Sequence, residues 1–160
     1  MVKVLVTNDD GIDVHGLTIL VEALAQHADV YVVAPKEQQS GKSHSFQIRE
    51  PFEVKQVELE PGLTVWSVDS TPADCVRIAV LGMEMQFDLV VSGHAHGGQW
   101  RLPGLINGIY APHQGLFPSY AGGRYDLGTT TLIVSRGLAR ESTPVPRIFN
   151  RPELVIVEIH

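Results

Sequence analysis

The chain holds one cysteine, Cys75, in 160 residues, which excludes an internal disulfide and a cysteine-built zinc site. No stretch approaches the roughly 20 consecutive apolar residues of a membrane helix. Met1 leads straight into Val2-Lys3-Val4-Leu5-Val6, without the basic start, apolar stretch and cleavage site of a secretory signal. A cytoplasmic protein with no membrane partner is expected. Positive charge is short: 12 Lys and Arg stand against 18 Asp and Glu. That balance argues against a nucleic-acid partner. Lysine is missing altogether after residue 93, where six arginines face four acidic residues; before it, six basic residues face 14 acidic ones.

What is present suits one ordinary α/β domain. Val2–Thr7 reads as a buried strand running into Asn8-Asp9-Asp10-Gly11, and Leu17, Leu20, Val21 and Leu24 set a helical period over 15–27. Asp29–Ala34 is a second strand, closed by Pro35, so the start is a right-handed parallel βαβ unit. Ser45–Ile48 and Phe52–Leu59 read as extended, and Thr64–Val68 as a strand. Thr71-Pro72-Ala73-Asp74 is a helix start with a hydroxyl cap, proline first and an acid three residues on. Phe87–Ser92 is a further strand opening into Gly93-His94-Ala95-His96-Gly97-Gly98. Beyond Gly98 helical periodicity disappears. Residues 99–126 read as a structured loop region, and Gly128–Ser135 and Leu154–Ile159 as β-branched strands.

Three places could carry chemistry. Asp9 and Asp10 follow the first strand, at the edge where open parallel sheets bind ligands. Adjacent carboxylates there call for a cation, or form a simple Asx-type turn with Gly11. Gln39-Ser40-Gly41-Lys42-Ser43 follows the second strand on the same edge. It lacks the spacing of a nucleotide P-loop, and Ser40 could meet metal or phosphate, or the segment could be a solvated loop. His94 and His96, one residue apart between glycines, cannot both face a core, and neutral imidazoles suit Mn, Fe, Co, Ni or Zn. Cys75 reads as a buried structural thiol.

The first part resembles the SurE family of survival nucleotidases. The matching residues are Val4–Ile12, Gly16-Leu17, Val32–Pro35, Gln39-Ser40-Gly41 with Ser43-His44-Ser45, Thr71–Val76 and Asp88–Gly93. The resemblance implies a divalent-metal phosphatase of nucleoside monophosphates, with Asp9, Asp10 and Ser40 as metal ligands. The family's asparagine two positions after the serine-glycine is Ala95 here, and its later phosphate loop and C-terminal arm are absent. The last part resembles the end of a calcineurin-like metallophosphoesterase, at Ser92–Gln99, Arg101-Leu102-Pro103, Tyr125–Gly128, Leu132–Leu138 and Pro146–Leu154. There the two histidines would bind a two-metal centre, although that family's earlier ligands are missing.

Asp88–Gly93 fits both families and coincides with the break in lysine content, so a recombinant or designed chimera is expected. The expected fold is α/β, a mainly parallel Rossmann-like sheet with flanking helices, extended or faced by antiparallel strands from the C-terminal part. It would be a single domain, 1–160, built from fragments 1–93 and 94–160. The expected chemistry is hydrolysis of phosphate monoesters at a divalent-metal site (Mn, Mg, Zn, Ni or Co). Asp9, Asp10, Ser40, His94 and His96 are the ligands, and His94 and His96 the catalytic groups. The alternative is a folded scaffold without efficient catalysis that still binds metal. A phosphate-ester small molecule is the expected partner, and homodimerisation through an exposed edge strand is open.

Overall fold

The computed structural model describes residues 1–39, 46–60, 63–92, 96–111, 115–138 and 146–158. The chain separates into two compact units, Met1–Val90 and Val91–Glu158.

In the first unit β1 (Lys3–Val6), α1 (His15–Ala25) and β2 (Asp29–Pro35) form the expected βαβ unit. β1 and β2 run parallel with Lys3 opposite Asp29 and Val6 opposite Val32. β2 also pairs in parallel with β4 (Leu63–Val68), and β3 (Val54–Glu60) pairs antiparallel with β4. The strand order is β3-β4-β2-β1, followed by β5 (Leu89–Ser92). Phe46–Ile48 forms no strand, and Ser45 lies outside the described residues.

Val4, Leu5, Val6, Val32, Val33 and Ala34 are all completely buried. Successive strand residues point to opposite faces, so this sheet is covered on both, as unbroken apolar runs require. On one face Leu5, Val33 and Val68 pack with Cys75, Ala79 and Phe87. Leu17 and Val21 are the buried positions of α1, whereas Leu20, expected on the same stripe, is exposed.

The second helix, α2 (Pro72–Arg77), starts where its capping signal places it, and continues as one wider π turn, Ile78–Gly82. The Asp74 amide donates to the Thr71 hydroxyl at 3.3 Å. Asp74 itself is fully buried. Its carboxylate accepts from Ser70 (2.5 Å), the Gln47 amide (2.8 Å), Thr71 (3.1 Å) and Arg77 (2.7 Å). Burial alone would raise its pKa; the Ser70, Gln47 and Thr71 hydrogen bonds and the Arg77 charge outweigh it and hold the group below its ordinary value.

The second unit is built from short pieces. His96–Gly98 is a tight turn, and isolated bridges join Gln99 to Tyr110, Trp100 to Ile148 and Leu102 to Ile106. β6 (Tyr110–Ala111) pairs with β7 (Gly115–Leu116), and β8 (Gly123–Leu127) pairs antiparallel with β9 (Thr130–Val134). The β8–β9 hairpin closes through Gly128-Thr129, with Gly128 at φ +67°, the left-handed backbone that two-residue hairpin turns demand. The Ser135 amide donates to the Ser92 carbonyl at 2.8 Å.

The expected strand Leu154–Ile159 does not form over its described residues: 151–158 carry no regular secondary structure, and Ile159 lies outside them. Leu154 and Ile156 are 74% and 81% exposed. β-branched composition suits a strand, but a ladder partner makes one.

Candidate functional site

The loop after β1 is organised by Asn8, whose side-chain amide donates to the Gly11 carbonyl at 2.8 Å. The bond spans three residues and closes the loop through the amide nitrogen, not through the side-chain oxygen that an Asx-type turn uses. Gly11 has φ +102°, and a Cβ there would lie 3.2 Å from the Glu37 carbonyl carbon and 3.3 Å from the Gln38 nitrogen. Only glycine lets the two loops approach this closely. The Gln39 amide then donates to the Asp9 carbonyl at 2.7 Å. The chain entering Ser40 is therefore tied directly to the aspartate loop.

Asp9 is half-buried and Asp10 exposed, both just beyond the carboxyl end of β1. The Oδ1 of the preceding residue, Asn8, is buried and finds no hydrogen-bond donor among the described residues. Two carboxylates and a buried amide oxygen are hard acceptors of the kind Mg and Mn prefer, so the donor set fits a divalent ion. Among the described residues no cluster of three His, Cys, Asp or Glu side chains forms. Ser40 and His94 lie outside the described residues, and of His96 only the backbone turn is described.

A cavity of about 260 Å³ is lined by Ile12 and Asp13 of the same loop, with Lys36, Glu53, Lys55 and Asp69. Its cations are already partnered: Lys36 lies 3.9 Å from Asp69 and Lys55 2.9 Å from Glu53. Cys75 is fully buried on the core side. Burial, and then the Asp74 charge, push its thiol pKa up to about 12, so it is no nucleophile at neutral pH. Sequence reasoning missed Asn8, whose signal was its place directly before the paired aspartates and Gly11. It also missed the loop contact through Gln39, a backbone bond that no side chain announces.

The family profile described as Survival protein SurE matches residues 4–101. The chain belongs to the SurE family. The 5'-nucleotidase SurE of Clostridium botulinum (strain ATCC 19397 / Type A) is 45% identical over 92 residues, covering 57% of this chain and 36% of its own length. The 5'-nucleotidase SurE of Chlamydia felis is 43% identical over 100 residues, covering 59% and 36%. A solved structure, the SurE protein from Aquifex aeolicus, is 36% identical over 62% of this chain and 40% of its own, with a TM-score of 0.48. This SurE chain thus spans about a third of the length of the curated relatives it matches. The match takes in Asp9, Asp10, Ser40, His94 and His96 and leaves residues 102–160 outside it. No helix among the described residues is long and apolar enough to cross a membrane.

Proposed function

We propose that the chain derives from a divalent-metal-dependent hydrolase of phosphate monoesters, with nucleoside monophosphates as the ancestral substrate. The observation that carries this reading is the aspartate loop: Asp9 and Asp10 follow β1 next in the chain to Asn8, whose side-chain oxygen is buried and without a donor among the described residues, and the Gln39 amide, just before Ser40, bonds the Asp9 carbonyl. The activity for which the relatives are named, 5'-nucleotidase, supports the substrate class. Asp9, Asp10 and Ser40 would hold the ion. When bound, such an ion polarises a phosphoryl oxygen and lowers the pKa of a water. The chain's own part is to keep the carboxylates at the strand edge through the Asn8 turn and the Gln39 bond. His94 and His96 are proposed as further ligands and as the proton-transferring groups.

We further propose that residues 94–160 descend from a metallophosphoesterase-like fragment, the whole being a chimera joined at Asp88–Gly93. The arginine-only, glycine-rich composition beyond residue 93 supports this. Ala95 stands at the family's asparagine position, so turnover of a nucleoside monophosphate with Mn or Mg is expected at least about a hundredfold below that of an intact family member. Normal turnover, about 1 to 1000 per second, would overturn the hybrid reading. The alternative, a metal-binding scaffold without efficient catalysis, predicts binding alone. Calorimetric titration with Mn separates these cases. Asp9→Ala should weaken binding about 10- to 100-fold, and His96→Ala tests the second ligand set in the same titration. Equal binding in wild type and both variants would end the metal reading.

A further inference from the structure

The second unit sets Arg101 and Arg147 beside Arg136, which is paired with Glu153. Arg136 Nη2 donates to Glu153 Oε1 at 2.6 Å, and the backbone locks this pair, since the Glu153 amide donates to the Gly137 carbonyl at 3.1 Å. Arg147 Nη2 donates to the Arg136 carbonyl, a neutral acceptor, at 2.7 Å. Arg101 reaches Asn107 Oδ1 through Nη2. The Asn107 side-chain amide donates in turn to the Gly122 carbonyl and the Tyr125 hydroxyl, each at 2.9 Å. The Arg101 Nη1 is buried with no acceptor among the described residues.

Glycines create the room. A Cβ at Gly122 would lie 2.8 Å from Arg136 Cγ and 3.3 Å from Arg101 Nη1. The Arg101 and Arg136 side chains therefore both pass over the same bare backbone. Their charges repel, and burial and this repulsion lower the Arg101 pKa, while Glu153 opposes it. Arg147 is lowered by burial and by Arg136 in the same way. Arg124 of the same unit lies 3.0 Å from Asp126. Here two further half-buried cations, Arg101 and Arg147, lie close enough to Arg136 to feel its charge.

We propose that Arg101, Arg136 and Arg147 form a binding site for a tetrahedral oxyanion of the phosphate type. Guanidinium forks present paired N–H donors to phosphate oxygens. A dianion would supply the acceptor that Arg101 Nη1 lacks and relieve the repulsion between Arg101 and Arg136. Asn107 and Tyr125 fix the Arg101 side chain in advance. The site needs no metal ion and so goes beyond the hydrolase reading. Its ligand is free inorganic phosphate or the phosphoryl end of a monoester, which share this chemistry.

The test is calorimetric titration of the full chain, in chelator, with inorganic phosphate in one arm and a nucleoside monophosphate in the other. Saturable binding of inorganic phosphate is expected, with affinity falling about tenfold or more in Arg101→Gln. Arg101→Lys, which keeps charge and fold, should also weaken it, because a point charge cannot replace the fork. Arg124→Gln and Asp9→Ala should leave it unchanged. Tighter binding of the monoester would mark the site as a substrate subsite; equal binding would mark it as a phosphate site. No phosphate binding by the wild type, or undiminished binding by both Arg101 variants, would overturn the proposal. Binding that appears only with added metal and vanishes in Asp9→Ala would also overturn it while leaving the hydrolase reading standing.

Discussion

The two units solve the problem of holding a loop in place by different means. Of the hydrophobic residues buried among those described, only Ala121 and Val134 fall in the second unit; the rest, from Val4 to Leu89, are in the first. The first unit rests on a two-sided sheet and keeps its loops with a few buried polar bonds, those of Asp74 above all. Among its described residues the second has almost no apolar core. It is held by backbone bridges, by glycines in left-handed conformations and by the Arg136–Glu153 pair. A core supplies stability that tolerates change at its surface, whereas a structure of close backbone approaches tolerates almost none.

The largest test of that contrast is to separate the units. Residues 94–160 expressed alone should show no cooperative thermal transition, since the two apolar side chains buried there among the described residues cannot offset the entropy of ordering the chain. The full chain is expected to melt in one transition, because the division between units falls inside the four residues of β5. Two separate transitions in scanning calorimetry would contradict this.

Next comes Asp74→Ala, expected to cost about 3 kcal/mol in denaturant unfolding, as loss of a buried hydrogen-bonded carboxylate does. Gly98→Ala should cost about 2 kcal/mol: φ is +68°, and the added Cβ would lie 2.6 Å from the Gly108 Cα, a backbone atom that cannot swing aside. In the first unit Gly16→Ala should instead stabilise by about 0.5–1 kcal/mol, because the glycine sits in α1 with nothing within 4 Å of its missing Cβ. Gly16→Ala costing as much as Gly98→Ala would erase the distinction.

Acid provides a milder probe. The Asp74 and Glu153 carboxyl groups both lie below their ordinary values of 3.8 and 4.5 in the folded chain. Each contributes stability that is full above its unfolded pKa and is lost as pH falls through the folded one. Stability should therefore hold down to about pH 5 and decline below it. Glu153→Gln should flatten the Glu153 part of that decline while Asp74→Asn flattens the other, which pH-dependent melts of the two variants would separate.

Much of the first unit was legible because its signals are local. The apolar run of β1, the period of α1 and the Thr71-Pro72-x-Asp74 start each dictate an element within a few residues. The tail was less legible. Leu154, Ile156 and Val157 have strand composition, but pairing is a property of two segments, and no ladder forms there. Of the candidate site, the position of Asp9 and Asp10 at the strand end could be read from the sequence. The Gln39–Asp9 bond could not, since backbone atoms are the same in every residue. The arginine cluster was hidden for another reason: positions 101, 136, 147 and 153 lie in three separate segments of the metallophosphoesterase resemblance, and nothing within a segment says that their side chains meet.

The strand β5 carries a constraint of parity. Val90 packs against the core cluster, and two residues later Ser92 offers its carbonyl to the Ser135 amide. Side chains alternate along a strand, so one residue inserted between Val90 and Val91 would turn every later side chain of the strand to the opposite face. Two inserted residues would restore the facing and cost only the shift along the strand. Any joining of foreign segments at this point is thus constrained less by which residues meet than by whether their count is even or odd.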